Sequence, residues 1–572
     1  MPANFIDLPG NQFIANSLSG TETHVSELSE IQKRQFEVVN ERIKAAYPQK
    51  NWGMISSTAV LPDFLKSFNE TLESENESVD HFVQHWITES GYQNIYVVHA
   101  NPENLKGVSK EKCVNHSVTE IEKVKQNLRV LLDELPTLLA GVPEPIISEY
   151  RMLLMEQLVF CDVAVATGSQ EFTQKSEAIH LEQLVDQDLL KQSQVMLEHE
   201  QLALAVLEQN KKTGPQFQYK NLADAIEAWD IQAEELAQIG ITADHLAQTT
   251  LESAEIVAFF KFVLTKMGLN ISVLVDDSAT SISVNSLSDP MELKIPRTRR
   301  FSPDDLVFIP RHESWHLLRG HNGGLQPYRF FKTGFVDYLE TEEGLAVMCE
   351  MVAGQRFGHQ RQVKMAARYY AAAMSVKTER GDDGKISAMY SIQDIYDSLI
   401  DYKISPTDAK EIVLRLHRGT SLTRQVTPMT INGIDVNIPE VNLKDTVYFQ
   451  GQMELFEQIM ARLPLSDHDR EKLSTWQVND VSPRLLARVG RQVFLGTHQS
   501  EGSADRADTS YADIKKQYNY LVSLGKDALI KCLDYYALGK VRWQVLEDEQ
   551  WKHLINRSPE AIPARKLFFP TE

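Results

Sequence analysis

Cysteine is scarce in this sequence, and the few cysteines are far apart. The 572 residues contain four, and no two of them form a C-x-x-C pair: Cys113, Cys161, Cys349 and Cys532. This spacing argues against a disulfide framework and against a zinc site built from cysteines. We therefore expect the protein to reside in a reducing compartment.

Targeting and membrane-spanning signals are also missing. The first ten residues lack the basic n-region and the apolar core of a secretory signal. The longest apolar runs, such as residues 256–264, are interrupted and too short to cross a bilayer. The sequence predicts a soluble, cytoplasmic protein with no membrane partner, and it leaves export by a signal-less route open.

Positive charge is in deficit. The chain has 58 lysines and arginines against 79 acidic residues, which gives a net charge of −21. Such a charge repels nucleic acid and anionic membrane surfaces over most of the exterior. We therefore predict no nucleic-acid partner.

Motifs for two common enzyme classes are absent as well. The segment Arg380-Gly-Asp-Asp-Gly-Lys has the composition of a turn and lacks the spacing of a phosphate-binding loop. No nucleophile elbow occurs, which weakens a serine hydrolase interpretation.

What is present is an ordinary globular composition, with 42% hydrophobic and 24% charged residues. The pattern of apolar residues predicts an α+β fold that is mainly helical, with a small β-sheet preceding a zincin-type pair of active-site helices. Four regions are predicted: an N-terminal mixed α/β extension (1–114), a helical domain (115–268), a catalytic core (269–470) and a C-terminal helical region (471–572). Within the helical domain, helices are predicted over residues 118–135, 145–165, 175–209 and 222–267. The segment Phe301-Ser-Pro-Asp-Asp predicts a helix start, the Pro- and Asn-rich stretch after residue 419 is predicted to be irregular, and residues 498–508 are predicted to be a linker.

The segment around residue 312 carries the clearest chemistry. His312 and His316 stand four residues apart in a helical pattern, so their imidazoles would project from one face as two metal ligands. Glu313 follows the first histidine and would act as the general base that takes a proton from water. The alternative is a pair of histidines on a helix surface with an ion-paired glutamate.

A third ligand is needed to hold one zinc ion with an open position for water. The start of the next predicted helix offers Glu340, Glu342 and Glu343. Each could instead be a solvated carboxylate favoured by the helix dipole.

Two downstream blocks supply candidates for the oxyanion donor and for a cation that pairs with a substrate carboxylate. They are Arg415, His417 and Arg418 in one block and Tyr448 in the other, and Arg319 on the zinc helix is a further candidate. The alternatives are arginines that complement a helix dipole and a core tyrosine.

These blocks resemble a known metallopeptidase family, that of animal microtubule-associated tyrosine carboxypeptidases and bacterial QEGLA-motif proteins. The resemblance lies in His312-Glu-Ser-Trp-His-Leu-Leu-Arg-Gly-His-Asn-Gly-Gly-Leu-Gln-Pro, Thr341-Glu-Glu-Gly-Leu-Ala, Leu414-Arg-Leu-His-Arg-Gly and Lys444-Asp-Thr-Val-Tyr-Phe-Gln-Gly, and it covers about residues 180–470. It implies that Glu343 is the third zinc ligand, in a gluzincin-type site. Animal members remove a C-terminal tyrosine from tubulin, but substrate choice depends on pocket residues that such a likeness does not fix.

Two spacings qualify this resemblance. The family places three residues between the glutamate and the second histidine, whereas only Ser314 and Trp315 intervene here. A metzincin assignment fails because Asn322 occupies the position of the third histidine.

We therefore predict a zinc metallopeptidase, specifically a carboxypeptidase whose substrate is the C-terminus of a peptide or protein. The alternatives are a zinc endopeptidase and a non-catalytic protein that binds zinc for regulation.

Overall fold

The computed structural model describes much of the chain between residues 29 and 451 and parts of the C-terminal region. The described residues are 29–46, 56–60, 78–90, 96–98, 118–166, 190, 193–194, 197, 229, 231–246, 250–277, 282–286, 288, 290–326, 328–335, 338–353, 359–417, 420, 424–431, 434–451, 530, 533–534, 536–539, 558–568 and 570. The predicted helix over residues 175–209 is outside these ranges except for isolated positions. Arg418 and the predicted linker after His498 lie outside them entirely.

Helices dominate the described residues. In chain order they are α1 (Glu30–Ala46), α2 (Val79–Ser90), α3 (Val118–Leu138), α4 (Glu144–Ala166), α5 (Ala233–Gln238), α6 (Ala243–Leu246), α7 (Ser253–Met267), α8 (Pro303–Gly324), α9 (Phe330–Thr333), α10 (Tyr338–Ala353), α11 (His359–Ser375), α12 (Ile392–Asp401) and α13 (Pro406–Arg415). A short 3₁₀ turn covers Ala564–Leu567. No helix in the described ranges is long and apolar enough to cross a membrane.

The strands are short. They are β1 (Ser56–Val60), β2 (Tyr96–Val98), β3 (Ile271–Asp276), β4 (Ser283–Asn285), β5 (Met291–Pro296), β6 (Thr378–Arg380), β7 (Ile386–Ala388), β8 (Val426–Ile431) and β9 (Ile434–Pro439). Together with the helices they confirm the predicted α+β class, which is mainly helical with a small mixed sheet.

The sheet that precedes the candidate site has the strand order β3-β5-β4. Strand β5 is parallel to β3, with Ile271 opposite Met291, and antiparallel to β4, with Val284 opposite Leu293. Residues alternate between buried and half-buried along β5, as expected for a central strand that packs one face on a core.

The contacts between residues divide the chain into two compact units. The first comprises residues 1–33, 199–362 and 450–572, and the second comprises residues 34–198 and 363–449. Helices α8 and α10 and the sheet β3-β5-β4 belong to the first unit. Helices α3 and α4 and the hairpin β8–β9 belong to the second.

Helix α8 begins with a strong local signal. Ser302 caps the helix by accepting a hydrogen bond from the backbone N–H of Asp305, while the Asp305 carboxylate accepts one from the N–H of Ser302. Pro303 follows at the first helical position, where no intrahelical N–H bond is lost. This capping box starts the helix at Pro303, within the segment Phe301-Ser-Pro-Asp-Asp that the sequence predicts as a helix start.

A proline inside α8 is accommodated by a tryptophan from earlier in the chain. Pro310 has no N–H to donate to the carbonyl of Leu306, four residues before it. The indole N–H of Trp229 donates to that carbonyl at 3.0 Å. The Arg311 guanidinium also lies 3.6 Å from the centre of the Trp229 ring, so Trp229 holds the helix at the residue that precedes His312.

Helix α10 is buried on nearly all sides. A run of five residues, 345–349, is at most 2% exposed. A helix that is apolar around its circumference belongs in the interior of a domain. Carboxylates carried by such a helix are therefore withdrawn from water and require partners.

Other elements differ from the sequence-based expectations. The predicted helix over residues 222–267 is divided into α5, α6 and α7 in the described parts. The Pro- and Asn-rich stretch after residue 420, predicted as irregular, contains the antiparallel hairpin β8–β9. Strands β6 and β7 flank the predicted turn at residues 380–385 and form a second hairpin.

Candidate metal centre

Two histidines of α8 face the same region, one helical turn apart. The ring centroids of His312 and His316 are 4.9 Å apart, and the ring planes are inclined at 78°. Their side chains are only 12% and 13% exposed. Both rings are therefore largely surrounded by protein.

Glu343 of α10 lies against the Nε2 atoms of both rings. Its Oε2 is 3.4 Å from Nε2 of His312 and 3.7 Å from Nε2 of His316. The potential ligand atoms of the three residues all lie within 4.8 Å of one another. Tetrahedral zinc with bonds of about 2.0–2.2 Å places neighbouring ligand atoms about 3.4 Å apart, so this donor set fits zinc.

The opposite nitrogen of each ring is held by a second carboxylate. Nδ1 of His316 lies 2.7 Å from Oε1 of Glu342, and Nδ1 of His312 lies 2.8 Å from Oε1 of Glu350. An ionised carboxylate only accepts hydrogen bonds, so each imidazole, when neutral, would carry its proton on Nδ1. Each Nε2, which lies beside Glu343, would then offer its lone pair to a metal ion, as in carboxylate–histidine–zinc arrangements.

The carboxylates favour a positive charge at this place. Burial lowers the pKa of His312, but hydrogen bonds to Glu343 and Glu350 and the charge of Glu313 outweigh burial and raise this pKa to about 10. Because Glu342 and Glu350 are 2% and 3% exposed, water screens their charges little. A bound divalent cation would compensate this negative charge.

Two glycines allow the elements around the site to approach closely. A Cβ atom at Gly323, near the end of α8, would collide with the backbone carbonyl of Phe331 in α9. A Cβ atom at Gly451 would collide with the carbonyl of Glu340 in the first turn of α10. The final glycine of the Tyr448-Phe-Gln-Gly block is therefore required for backbone packing beside the helix that carries Glu343.

Of the remaining candidates in the first unit, Glu313 and Glu340 are half-buried. Glu313 contributes to the electrostatics of His312, the residue next to it. Arg319 is fully buried and forms an ion pair with Glu342, on the side of that carboxylate opposite His316. It thus contacts the carboxylate that lies against His316.

The downstream candidates belong to the second unit and are described within it. Arg415 pairs with Asp445 through Nε and through Nη2, the latter at 2.9 Å. Burial lowers the pKa of Arg415, but the charge and hydrogen bonds of Asp445 reverse this effect and raise the pKa. The ring of the half-buried Tyr448 lies 5.8 Å from the Arg368 guanidinium.

His417 is 2% exposed, and burial, aided by the charge of Arg424, lowers its pKa to about 3. It is therefore neutral at physiological pH. A neutral histidine could donate a hydrogen bond to an oxyanion but could not provide the positive charge that pairs with a carboxylate.

Sequence reasoning missed Glu350, Trp229 and Arg368. Glu350 follows Glu343 by seven residues, which places both on one face of a helix, so the helical period would have identified it. The positions of Trp229 and Arg368 have no comparable local signal.

The family resemblance predicted from the motifs is confirmed. Residues 214–474 match the family model described as microtubule-associated tyrosine carboxypeptidase. The match includes the helices α8 and α10 and both downstream blocks. Among curated proteins, no match was found for the chain.

Proposed function

We propose, from the premise that residues 214–474 belong to the microtubule-associated tyrosine carboxypeptidase family, that this protein is a zinc-dependent metallopeptidase. Within that class we propose a carboxypeptidase, which removes the last residue of a peptide or protein chain. The proposal combines the family match with the donor set of His312, His316 and Glu343.

The observation that carries the proposal is the orientation of the two imidazoles. Both Nδ1 atoms are engaged by buried carboxylates, so both Nε2 atoms are left to face Glu343. Three protein ligands leave a fourth tetrahedral position for water, which is the pattern of a catalytic site. A structural site would instead supply four protein ligands.

Each residue has a defined role in the proposed reaction. When bound, zinc polarises the scissile carbonyl and lowers the pKa of water. His312, His316 and Glu343 hold the ion, and Glu342 and Glu350 orient the two imidazoles. Glu313 accepts the proton of the attacking water and delivers it to the nitrogen of the leaving amine.

The groups that bind the substrate carboxylate and the oxyanion remain predictions. Tyr448 is of the right type for an oxyanion donor, and an arginine with a planar fork suits a free carboxylate. Arg415 already directs its fork at Asp445, so a substrate carboxylate would have to replace or share that partner. Mutation of Tyr448 to Phe separates the roles, since loss of an oxyanion donor lowers kcat, whereas loss of a binding contact raises KM.

The test begins with metal analysis of the purified protein. We expect one zinc per chain, and we expect Glu313→Gln to retain zinc while losing peptidase activity. Peptides ending in tyrosine and in other residues, each with a free or an amidated C-terminus, are then incubated with the zinc-loaded protein, and the products are identified by mass spectrometry.

Three outcomes of this assay decide between the candidate functions. Stepwise loss of the last residue from free C-termini alone supports a carboxypeptidase. Equal cleavage of free and amidated peptides indicates an endopeptidase. A zinc-loaded protein that cleaves none of the peptides, with a cellular effect unchanged by Glu313→Gln, contradicts catalysis and indicates a regulatory protein.

A further inference from the structure

The face of α8 that carries Arg319 and Asn322 contacts a part of the chain that lies outside the family match. Nε of Arg319 donates to the carbonyl oxygen of Tyr536 at 3.1 Å and to that of Gly539 at 2.6 Å. Both partners follow residue 474, where the family match ends. The zinc helix is thus fastened to the C-terminal region of the protein.

We propose that residues 536–539 together with Ile562, which we call the C-terminal clasp, position the metal ligand His316 through Arg319 and Glu342. This inference rests on the proposed metal site. It assigns to Arg319 a positioning role in place of contact with substrate. It also means that residues of the C-terminal region help to position a proposed metal ligand.

The connection from the clasp to the ligand runs through buried hydrogen bonds. Arg319 pairs through Nη1 with Oε2 of Glu342, and the other oxygen of that carboxylate lies 2.7 Å from Nδ1 of His316. The side chains of Arg319 and Glu342 are 0% and 3% exposed. Because no solvent competes at these positions, a displacement of Arg319 is transmitted to the carboxylate and then to the imidazole.

A second residue of the same face completes the attachment. Nδ2 of Asn322 donates to the carbonyl oxygens of Ala537 at 2.7 Å and Ile562 at 2.9 Å, and its Oδ1 accepts from the N–H of Ile562 at 2.8 Å. Asn322 is three residues after Arg319 and therefore on the same face of the helix. At 1% exposure its amide uses both its donor and its acceptor on the clasp.

The clasp approaches α9 closely at Gly539. A Cβ atom there would lie 2.9 Å from the backbone oxygen of Phe331 and 3.1 Å from its Cβ. The two segments that carry the clasp are joined just outside it, where the Asp534 carboxylate accepts a hydrogen bond from the N–H of Ala564. The clasp therefore packs against α9 as well as against α8.

The direction of the hydrogen bonds explains why Arg319 is needed. Glu342 is a buried anion that accepts from His316 on one side, and the Arg319 guanidinium supplies the compensating positive charge on the other. The two backbone carbonyls then fix the plane of the guanidinium. Groups that support a metal-ligating histidine in this way typically change metal affinity by about 10–100-fold when removed.

The test compares two variants of the full-length protein with a matched control. Asn322→Ala removes the side-chain bonds to the clasp and leaves Arg319, Glu342 and the ligands in place. Arg319→Met removes the central link. The control is Val263→Ala in α7, a fully buried position whose truncation lowers stability without contact with the connection.

Zinc dissociation constants are measured by chelator competition well below the melting temperature of each variant, together with the visible absorption of the cobalt-substituted protein. We expect Asn322→Ala to raise the zinc Kd about tenfold and Arg319→Met about 10–100-fold, with altered cobalt bands. Val263→Ala should keep the wild-type Kd and spectrum despite its lower melting temperature. Wild-type values in Asn322→Ala and Arg319→Met would overturn the inference.

A measurement without metal separates this inference from the proposed function. In crystals of metal-free Asn322→Ala, we expect the His316 ring to leave the position it has in the wild-type protein. A wild-type protein that binds no zinc contradicts the metal site, whereas an unmoved His316 ring in the variant contradicts the clasp. Since Asn322→Ala retains the Glu342 pair, it remains informative if Arg319→Met fails to fold.

Discussion

The protein contains two dense groups of buried or half-buried charges, one on helices α8 and α10 and one on α11, α13 and residue 445. In the second group, three cations pair with three carboxylates: Lys364, Arg368 and Arg415 with Asp408, Glu411 and Asp445. The first group contains the two arginines of α8, Arg311 and Arg319, and a larger number of carboxylates. These four carboxylates are Glu313, Glu342, Glu343 and Glu350.

The two groups therefore differ in whether their own charges compensate one another. In a group with equal numbers of opposite charges, the ion pairs compensate the charges, and no bound ion is required. A bound cation would compensate the surplus negative charge of the other group, in which two imidazoles face a carboxylate.

The largest effect is expected for Glu313→Gln, which removes the proposed general base and leaves the three ligands in place. We expect kcat to fall about 10²–10⁴-fold because general acid–base catalysis contributes that much. Zinc content, measured in the same preparation, should be unchanged. Equal activity of Glu313→Gln and the wild-type protein would show that Glu313 is not the general base. Glu340→Gln on α10 is the control and should keep the wild-type kcat.

A smaller effect is expected for a matched pair of substitutions, one from each charged group. Glu350→Gln removes the negative charge beside Nδ1 of His312 and should reduce zinc affinity about 10–100-fold. Glu411→Gln removes a carboxylate from the balanced group and should leave zinc affinity unchanged. If both variants lose zinc equally, the distinction between the two groups is wrong.

A third effect concerns the start of α8. Ser302→Ala removes the side chain that accepts from the N–H of Asp305 and should lower the free energy of unfolding by about 1 kcal/mol. Denaturant unfolding measures this loss. Ser302→Asp, which preserves a capping oxygen, should recover most of it, and an equal loss in both variants would exclude the cap as the cause.

The smallest effect is a pH dependence in the balanced group. Burial raises the pKa of Glu411, but the charges of Lys364, Arg368 and Arg415 outweigh it and lower this pKa to about 2. A lowered pKa means that the stabilisation is present above the unfolded-state pKa of about 4.5 and is lost as the pH falls toward 2.

The wild-type protein should therefore exceed Glu411→Gln in unfolding free energy at pH 7, by on the order of 1 kcal/mol or less because the Glu411 side chain is 44% exposed. The difference should shrink as the pH falls below about 4.5. A difference that grows on acidification would contradict the assigned direction of the shift.

Local signals in the sequence explain which features were predictable. The spacing of His312 and His316, the Ser-Pro start of α8 and the alternation of β3 and β5 depend on neighbours within a few residues. The hairpin β8–β9 also carries a local signal, since Asn432-Gly433 separates its two strands, and this dipeptide favours hairpin turns. The high content of proline and asparagine around it obscured that signal.

Features that depend on distant parts of the chain were not predictable. Glu342 reaches His316 across 26 residues, and Arg319 reaches Gly539 across 220 residues. No periodicity within α8 distinguishes an arginine that binds substrate from one that pairs with a buried glutamate. The direction of the Arg319 side chain therefore became known only from the folded structure.

The most direct test of the central claim is an anomalous-diffraction map at the zinc edge from crystals of the zinc-loaded protein. We predict one peak about 2.0–2.2 Å from Nε2 of His312, Nε2 of His316 and a carboxylate oxygen of Glu343, with a water in the remaining position. A peak elsewhere, a fourth protein ligand in place of water, or no peak between these side chains would contradict the account.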